Sequence, residues 1–186
     1  IKLCWSIAAA GVAQSALAMQ QFMTQAVFAN KWLGIAAQKA ESLGVSVVEF
    51  GDERWLRAYG SLPHPNILGG FLVVVLLVNI ILYFNLWQSW QAAENAKQEK
   101  KYQAGLLLSL TFFVINFVGL LLTFSRTAIA GFAVGALSLT LSPIFSGRGK
   151  QNLMVLSKFV FIMIAVGGLF FYFFRGPILG RINVDS

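Results

Sequence analysis

Long apolar stretches constrain the fold of this chain more than any other feature of its sequence. Five of them approach or exceed the roughly 20 residues that an α-helix needs to cross the hydrocarbon core of a membrane. They cover residues 3–19, 67–87, 104–124, 127–145 and 153–174. Hydrophobic residues make up 58% of the sequence and charged residues only 11%, whereas roughly a quarter of a soluble domain is charged. The sequence therefore predicts an all-α, polytopic membrane protein with about five transmembrane helices.

The positions of lysine and arginine predict how these helices are oriented. Two short loops, between the second and third stretches and between the fourth and fifth, are rich in cations: Lys97, Lys100, Lys101, Arg148 and Lys150. Such loops remain on the cytoplasmic side of a membrane. We therefore expect residues 20–66 and the C-terminal end to be extracytoplasmic. The net charge of +7 does not indicate nucleic-acid binding, because the cations lie at the ends of apolar stretches rather than along one face.

The extracytoplasmic segment has a pattern of its own. Four large apolar residues recur at roughly helical spacing among polar ones: Phe28, Trp32, Ile35 and Leu43. This pattern predicts an amphipathic helix lying in the membrane interface. Residues 46–50 are predicted to form a short extended piece, followed by a turn at residues 51–53.

Arginine is concentrated on the predicted outer side. Five of the seven outer cations are arginine, whereas six of the seven inner cations are lysine. The planar guanidinium binds phosphate through two parallel hydrogen bonds, which the ammonium group of lysine does not do. We therefore expect an anionic ligand on the outer face.

The first candidate site is the segment Arg57-Ala-Tyr-Gly-Ser-Leu-Pro-His-Pro-Asn66, which leads directly into the second apolar stretch. Its two prolines restrict the backbone, and Asn66 is predicted to cap the N-terminus of the following helix. Arg57 and His64 stand beside a helix end that favours anions. Simpler interpretations remain open, since Arg57 can contact lipid headgroups and His64 can be a turn residue only.

The second candidate site, Ser125-Arg126-Thr127, lies at the tip of a helical hairpin. Ser125 or Thr127 is predicted to cap the fourth helix. If the second and fourth helices pack together, Arg57, Arg126 and two helix N-termini form a site of pyrophosphate size. The sequence does not establish that they pack, and Arg126 can also serve as a headgroup anchor.

Signatures of other chemistry are absent from the sequence. No nucleotide-binding glycine loop occurs, and the acidic residues Glu49, Asp52 and Glu53 lack the spacing of metal ligands. No cofactor and no metal are therefore expected. The lone cysteine, Cys4, excludes an internal disulfide.

The two arginine segments resemble the O-antigen ligase and polymerase superfamily of bacterial envelopes. The resemblance rests on Arg57-Ala-Tyr-Gly-Ser-Leu-Pro-His-Pro-Asn-Ile-Leu-Gly-Gly70 and on Phe124-Ser-Arg-Thr-Ala-Ile-Ala-Gly131. It implies a metal-independent glycosyltransferase, or ligase, in the bacterial cytoplasmic membrane. Such an enzyme moves a glycan from undecaprenyl pyrophosphate to a lipid or protein acceptor on the outer face, in the synthesis of lipopolysaccharide or another cell-surface polysaccharide.

The resemblance also implies roles for particular residues. By it, Arg57 and Arg126 hold the donor pyrophosphate. The residues that shape or support the loop are His64, Pro65, Asn66 and Ser125. Because the family places its catalytic base in a later loop, we expect residues 1–186 to be part of a membrane domain, inactive alone, whose base lies beyond Ser186.

Two other functions are compatible with the same residues. An anion transporter of the bicarbonate type is the main alternative, because the outer arginines together with Asn79 and Asn116 inside apolar stretches suit an anion path. A membrane scaffold whose arginines contact only membrane lipid is the other. Transfer of a glycan by the purified protein supports the transferase, and anion flux into liposomes supports the transporter. A protein that shows neither activity supports the scaffold.

The predicted orientation can be tested by labelling with a membrane-impermeant thiol reagent in intact cells. A cysteine introduced at Ser42 is expected to react, whereas one at Gln98 is expected to be protected. The parent chain, which carries Cys4 only, is the control for background labelling. The reverse pattern would invert the topology and place both candidate segments on the cytoplasmic side.

Overall fold

The computed structural model describes residues 1–50, 53–145 and 149–183, and it is mostly helical. Its helices are α1 (Lys2–Thr24), α2 (Pro65–Gln91), α3 (Ala96–Leu122), α4 (Arg126–Phe145) and α5 (Gly149–Asn183). Four short strands lie between α1 and α2: β1 (Ala26–Val27), β2 (Gln38–Lys39), β3 (Val47–Phe50) and β4 (Glu53–Leu56). The predicted all-α class is consistent with this mostly helical fold.

Four helical segments in the described part of the chain are long and apolar enough to cross a membrane. They are α1, α2, α3 and the segment Ser157–Gly176 of α5. The apolar segment found in α4, Arg126–Leu139, is shorter than the roughly 20 residues that a membrane span requires. A multi-pass membrane protein is therefore supported, whereas the predicted fifth span, at residues 127–145, is not confirmed.

Aromatic side chains from four helices fill the centre of the bundle. The ring of Phe113 in α3 lies 4.7 Å from that of Phe159 in α5 and 6.2 Å from that of Phe132 in α4. Tyr83 of α2 packs edge-on against Phe159 at 5.1 Å. All four side chains are buried, so α2, α3, α4 and α5 share one core.

Helix α1 packs against α3 through polar contacts inside the bundle. Ser15 donates to Asn116 Oδ1 at 3.1 Å, and Asn116 Nδ2 donates to the carbonyl oxygen of Ala8 at 3.3 Å. Near the start of α1, Trp5 meets Phe112 edge-on at 5.8 Å, so the two helices run in the same direction. These hydrogen bonds explain why an apolar helix carries polar residues, because buried polar groups in membrane bundles pair across helices.

The segment after α1 differs from the sequence prediction. No amphipathic helix forms across residues 28–43. Instead β1 pairs antiparallel with β2, and Asn30 forms a bridge with Ile35 inside this hairpin. Trp32 is 87% exposed and Leu43 is 96% exposed, so the apolar residues at helical spacing do not share a buried face. The predicted helix is therefore wrong.

Local backbone chemistry explains this outcome. Gln25 has a φ of 51° and ends α1 in the left-handed conformation. The side-chain oxygen of Asn30 accepts the N–H groups of Trp32 and Leu33 at 3.0 and 3.2 Å, which favours a turn over a helix. Gly34 has a φ of 64°, which is outside the helical range.

The second predicted feature of this segment is confirmed in part. The extended piece predicted at residues 46–50 is observed as β3, which pairs antiparallel with β4 from Val47↔Leu56 to Phe50↔Glu53. The turn predicted at residues 51–53 falls largely outside the described residues.

Glycine permits the close approach of α1 and α3. A Cβ atom added at Gly119 would lie 2.8 Å from Ser15 Cβ and 3.2 Å from Ser15 Cα. Because one of these atoms belongs to the backbone, the clash cannot be relieved by rotating a side chain. Gly131 of α4 is different, since an added Cβ there would meet no atom within 4 Å.

These two glycines provide a matched pair of substitutions. Gly119→Ala is expected to lower the free energy of unfolding by about 1–3 kcal/mol, because it forces α1 away from α3. Gly131→Ala is expected to leave stability unchanged or to raise it by about 0.5–1 kcal/mol, because alanine favours a helix over glycine. Reversible unfolding in detergent micelles measures both. Equal effects at the two positions would contradict the observed packing of α1 on α3.

Candidate functional site

The Arg57 guanidinium joins three parts of the chain at the end of the bundle where helices α1 and α3 terminate. This end is called the outer end of the bundle. Nε of Arg57 donates to the carbonyl oxygen of Thr123 at 2.8 Å, Nη1 to Ser46 Oγ at 2.9 Å and Nη2 to Asn66 Oδ1 at 2.6 Å. These acceptors follow α3, precede β3 and lie in the first turn of α2, respectively. Arg57 is only 4% exposed, so its charge is held inside the protein.

Backbone hydrogen bonds reinforce the same junction. The N–H of Arg57 donates to the carbonyl oxygen of Ser46 at 3.2 Å, and the N–H of Ala58 donates to that of Leu122 at 3.1 Å. The chain that leaves β4 is thereby attached both to the start of β3 and to the end of α3.

This geometry supports a positioning role for Arg57. A surface phosphate can reach the guanidinium only if contacts that connect Ser46, Asn66 and Thr123 are given up, and breaking such buried charge-assisted contacts is strongly unfavourable. Direct binding of pyrophosphate by Arg57 stays a prediction from the resemblance. The contacts themselves show that Arg57 holds the start of α2 against the end of α3.

His64, rather than Asn66, caps helix α2. Nδ1 of His64 accepts the N–H of Asn66 at 3.1 Å. The carbonyl oxygen of His64 accepts the N–H groups of Ile67 and Leu68 at 3.0 and 3.2 Å. The N-cap predicted at Asn66 is therefore wrong. The reason is Pro65, which has no N–H and a φ suited to the first helical position, so the cap lies before it.

The turn between α3 and α4 is also closed by side-chain hydrogen bonds. Ser125 Oγ accepts the N–H of Ala128 at 3.4 Å, and the carbonyl oxygen of Ser125 accepts the N–H of Ile129 at 3.0 Å. Ser125, one of the two residues predicted as the cap, thus caps α4. The preceding residue, Phe124, has a φ of 48°, which a residue other than glycine seldom adopts.

Helices α2 and α4 pack together at this junction. A Cβ atom added at Gly69 would lie 2.8 Å from Ala128 Cβ and 3.2 Å from Ser125 Cβ, so glycine permits the approach. The condition that the sequence left open is therefore met. The first turns of two helices lie side by side, next to the buried guanidinium of Arg57.

The polar residues of the junction divide into a buried group and an exposed group. Arg57 and Ser125 are buried, whereas His64, Asn66 and Arg126 are exposed. Arg126 is the first residue of α4, at the positive end of the helix dipole. It is therefore the guanidinium that this junction presents at the surface.

Two glutamines of α1 hold the loop between Arg57 and α2, and sequence reasoning did not identify them as site residues. Oε1 of Gln21 accepts the N–H groups of Tyr59 and Gly60 at 3.0 and 2.8 Å, and Nε2 of Gln21 donates to the carbonyl oxygen of Gly60 at 2.7 Å. Oε1 of Gln14 accepts the N–H of Ser61 at 2.9 Å. Side chains of α1 thus satisfy the backbone of an irregular loop.

The spacing of the glutamines is the signal that could have revealed this role. Gln14, Gln21 and Gln25 are separated by seven and then four residues, which puts them on one face of a helix. Gln25 continues the pattern, because its Oε1 accepts the N–H of Leu56 at 2.6 Å. A polar stripe on an apolar helix indicates a protein partner for that face rather than lipid.

A small cavity lies beside the same loop. Its volume is about 160 Å³, and it lies between the β1–β2 hairpin and residues 59–63. Most of its lining is apolar, with Gln38, Tyr59 and Ser61 among the residues that border it. Oε1 of Gln38 is buried and accepts no hydrogen bond from the described residues.

Comparisons with known proteins identify no family and no relative of this chain. No family model matches the chain, and neither the curated proteins nor the solved structures include a match. Among the residues that the structure describes, no group of three histidine, cysteine, aspartate or glutamate side chains is placed to hold a metal ion.

The positioning role of Arg57 leads to a prediction about stability without any ligand. Arg57→Lys is expected to lower the free energy of unfolding by about 2–4 kcal/mol, because one ammonium group cannot reach Thr123, Ser46 and Asn66 together. Arg54→Lys is the control, since Arg54 makes a surface ion pair with Glu49 at 3.2 Å that lysine can replace. Thermal unfolding of both variants measures the difference. An unchanged stability of Arg57→Lys would contradict the positioning role.

Proposed function

We propose that this chain acts in a glycosyltransferase of the O-antigen ligase type, in the cytoplasmic membrane of a bacterium. The donor is a glycan linked to undecaprenyl pyrophosphate, and the acceptor is a lipid or protein on the outer face. One observation supports the proposal above the others. The two segments that carry the resemblance meet, because a Cβ atom added at Gly69 would lie 2.8 Å from Ala128 Cβ and 3.2 Å from Ser125 Cβ. Arg57 Nε also donates at 2.8 Å to the carbonyl oxygen of Thr123, the residue before the second segment.

The residues of the junction have separate roles in this proposal. Arg126 at the start of α4 contacts the pyrophosphate, and the hydroxyl groups of Ser125 and Thr127 lie within 3.3 Å of each other beside it. Arg57 acts behind this surface by fixing Asn66 in the first turn of α2. The proposal thus assigns donor contact to Arg126 and differs from the expectation that Arg57 and Arg126 share one pyrophosphate.

The chemistry of glycan transfer suits such a junction. When the bond to the lipid pyrophosphate breaks, negative charge develops on the leaving phosphate. A guanidinium and the positive ends of two helices stabilise that charge without a metal ion, provided that they are held in place before the reaction. The hydrogen bonds of Arg57, His64 and Ser125 supply this rigidity.

The neighbouring cavity suits a sugar. Its mostly apolar wall can contact the face of a sugar ring. His64 is not assigned as the catalytic base, because its Nδ1 is occupied by the N–H of Asn66. No base is assigned among the described residues.

Anion transport is the weaker alternative. It relied on Asn79 and Asn116 as polar groups along a path through the membrane. Both side chains are fully buried, and each is bonded to another helix: Asn79 Oδ1 accepts from Ser109 at 2.9 Å, and Asn116 pairs with α1. They therefore connect helices and do not line an open passage.

The proposal predicts a specific loss of activity for Arg126→Lys. Glycan transfer from undecaprenyl pyrophosphate, measured in membranes that contain the protein, is expected to fall about tenfold or more, because lysine keeps the charge but loses the bidentate contact. Arg175→Lys makes the same change at an exposed position of α5 and is expected to transfer normally.

Two results would contradict the proposal. Full transfer by Arg126→Lys would make Arg126 a point charge or a headgroup anchor. Anion flux into liposomes by the unmodified protein, without glycan transfer, would favour a transporter.

A further inference from the structure

Three lysines form a stripe on one side of helix α3 in its first turns. They are Lys97, Lys100 and Lys101, and all three are exposed. Because an α-helix has about 3.6 residues per turn, residues three, four and seven positions apart lie on the same side. Continued along the helix, this side carries Leu107 and Leu108, which are exposed as well. The lysine stripe therefore adjoins an apolar surface that faces away from the bundle.

The acidic residue of these turns lies on the opposite, buried side of α3. Glu99 is seven and fourteen positions before Leu106 and Phe113, which are both buried in the bundle. The Glu99 carboxylate accepts from Gln103 at 3.1 Å, and Glu99 lines an open pocket together with Trp90 at the end of α2. Within the described part of the chain, no lysine of the stripe is ion-paired with an acidic side chain. The positive charge of the stripe is therefore not neutralised by the carboxylate beside it.

The length of α3 places the lysine stripe at the level of lipid headgroups. Helix α3 has 27 residues, more than the roughly 20 that cross the hydrocarbon core. Counted back from its last residue, Leu122, those roughly 20 residues end near Gln103. The lysines then lie about 3–9 Å beyond the hydrocarbon, since each helical residue adds about 1.5 Å. The polar layer of one leaflet is about 5–8 Å thick, so the stripe lies at its level.

We propose that the lysine stripe binds the phosphate group of an anionic phospholipid in the leaflet on its side of the membrane. The ammonium groups of Lys97, Lys100 and Lys101 contact the phosphate, and an acyl chain lies along Leu107 and Leu108. The positive end of the α3 dipole is at the same level and adds to the attraction. The site is independent of the proposed transferase function, because α3 begins at the opposite end of the bundle from the junction.

The general retention of positively charged loops on one side of a membrane also accounts for lysines at this end of the bundle. That rule depends on how many cations a loop contains and not on the side of the helix on which they lie. A phospholipid that lies against α3 requires lysines on the side that also carries Leu107 and Leu108. The two explanations therefore differ in the effect of moving one lysine around the helix.

Gln98 provides the position for such a move. It is eleven positions before Ser109, which is buried and donates to Asn79 of α2, so Gln98 lies on a different side of α3 from the stripe. Lys100→Gln removes one charge from the stripe. Lys100→Gln/Gln98→Lys restores the net charge at nearly the same depth on that other side. Gln98→Lys alone is the control for losing the hydrogen bond that Gln98 Oε1 accepts from the N–H of Glu94 at 3.2 Å.

The experiment compares the intact protein in nanodiscs of phosphatidylcholine alone and of phosphatidylcholine mixed with phosphatidylglycerol. Native mass spectrometry measures the retained phosphatidylglycerol. A triple variant, Lys97→Gln/Lys100→Gln/Lys101→Gln, removes the whole stripe. Because every substituted position is exposed, all variants should fold, and thermal unfolding in phosphatidylcholine alone measures this.

We expect Lys100→Gln to weaken retention of phosphatidylglycerol about fivefold, the usual contribution of one lysine beside an anionic headgroup. Lys100→Gln/Gln98→Lys should weaken it to the same extent, because the added lysine lies on the wrong side of α3. The triple variant should weaken retention about a hundredfold, and Gln98→Lys alone should retain phosphatidylglycerol as the parent does.

Three results would overturn the proposal. Recovery of parental retention in Lys100→Gln/Gln98→Lys would show attraction by general surface charge. Parental retention in the triple variant would show that the stripe does not hold the lipid. A rise in unfolding temperature with inorganic phosphate in phosphatidylcholine, without one in phosphatidylglycerol, would indicate a site for a soluble anion.

Discussion

The buried guanidinium of Arg57 connects three segments of the chain that meet at the outer end of the bundle. It bonds the segment before β3, the first turn of α2 and the residue after α3 within one set of contacts of 2.6–2.9 Å. A charge that is almost fully buried requires such partners, so these segments cannot separate without exposing it or leaving it unpaired. Arg57 therefore contributes to the relative positions of the start of β3, the start of α2 and the turn into α4, together with the backbone hydrogen bonds of Arg57 and Ala58.

Helix α1, a candidate membrane span, also holds the loop that follows β4. Gln14 and Gln21 of α1 and Gln25 at its C-terminal end satisfy the backbone of residues 56–61, and Ser15 pairs with Asn116 inside the bundle. Irregular backbone close to a membrane is stable only where protein groups take the place of water. The polar residues that make α1 the least apolar of the predicted spans are therefore the residues that hold the candidate site in position.

The two ends of the bundle differ in the accessibility of their donor groups. At the outer end, two helices begin side by side, and the exposed Arg126 adds its charge to their dipoles. This arrangement favours the phosphate groups of the proposed lipid-linked donor. At the other end, the indole N–H groups of Trp87 and Trp90 are buried and have no acceptor among the described residues, and Lys158 Nζ lies over the Trp87 ring.

The sequence by itself determined the features that depend on local chemistry. Apolar length predicted the helices, four of which contain a segment long enough to cross a membrane. Ser125 was one of two residues predicted to cap α4, and the extended piece before residue 51 was predicted correctly. The tertiary structure decided the rest. Apolar spacing at residues 28–43 imitated a helix, whereas Asn30, Gly34 and the pairing of β1 with β2 produced a hairpin. Arg57 could be read from sequence as a ligand contact, but its burial depends on Ser46, Asn66 and Thr123. Those partners come from distant segments that only folding brings together, and a sequence pattern does not record such contacts.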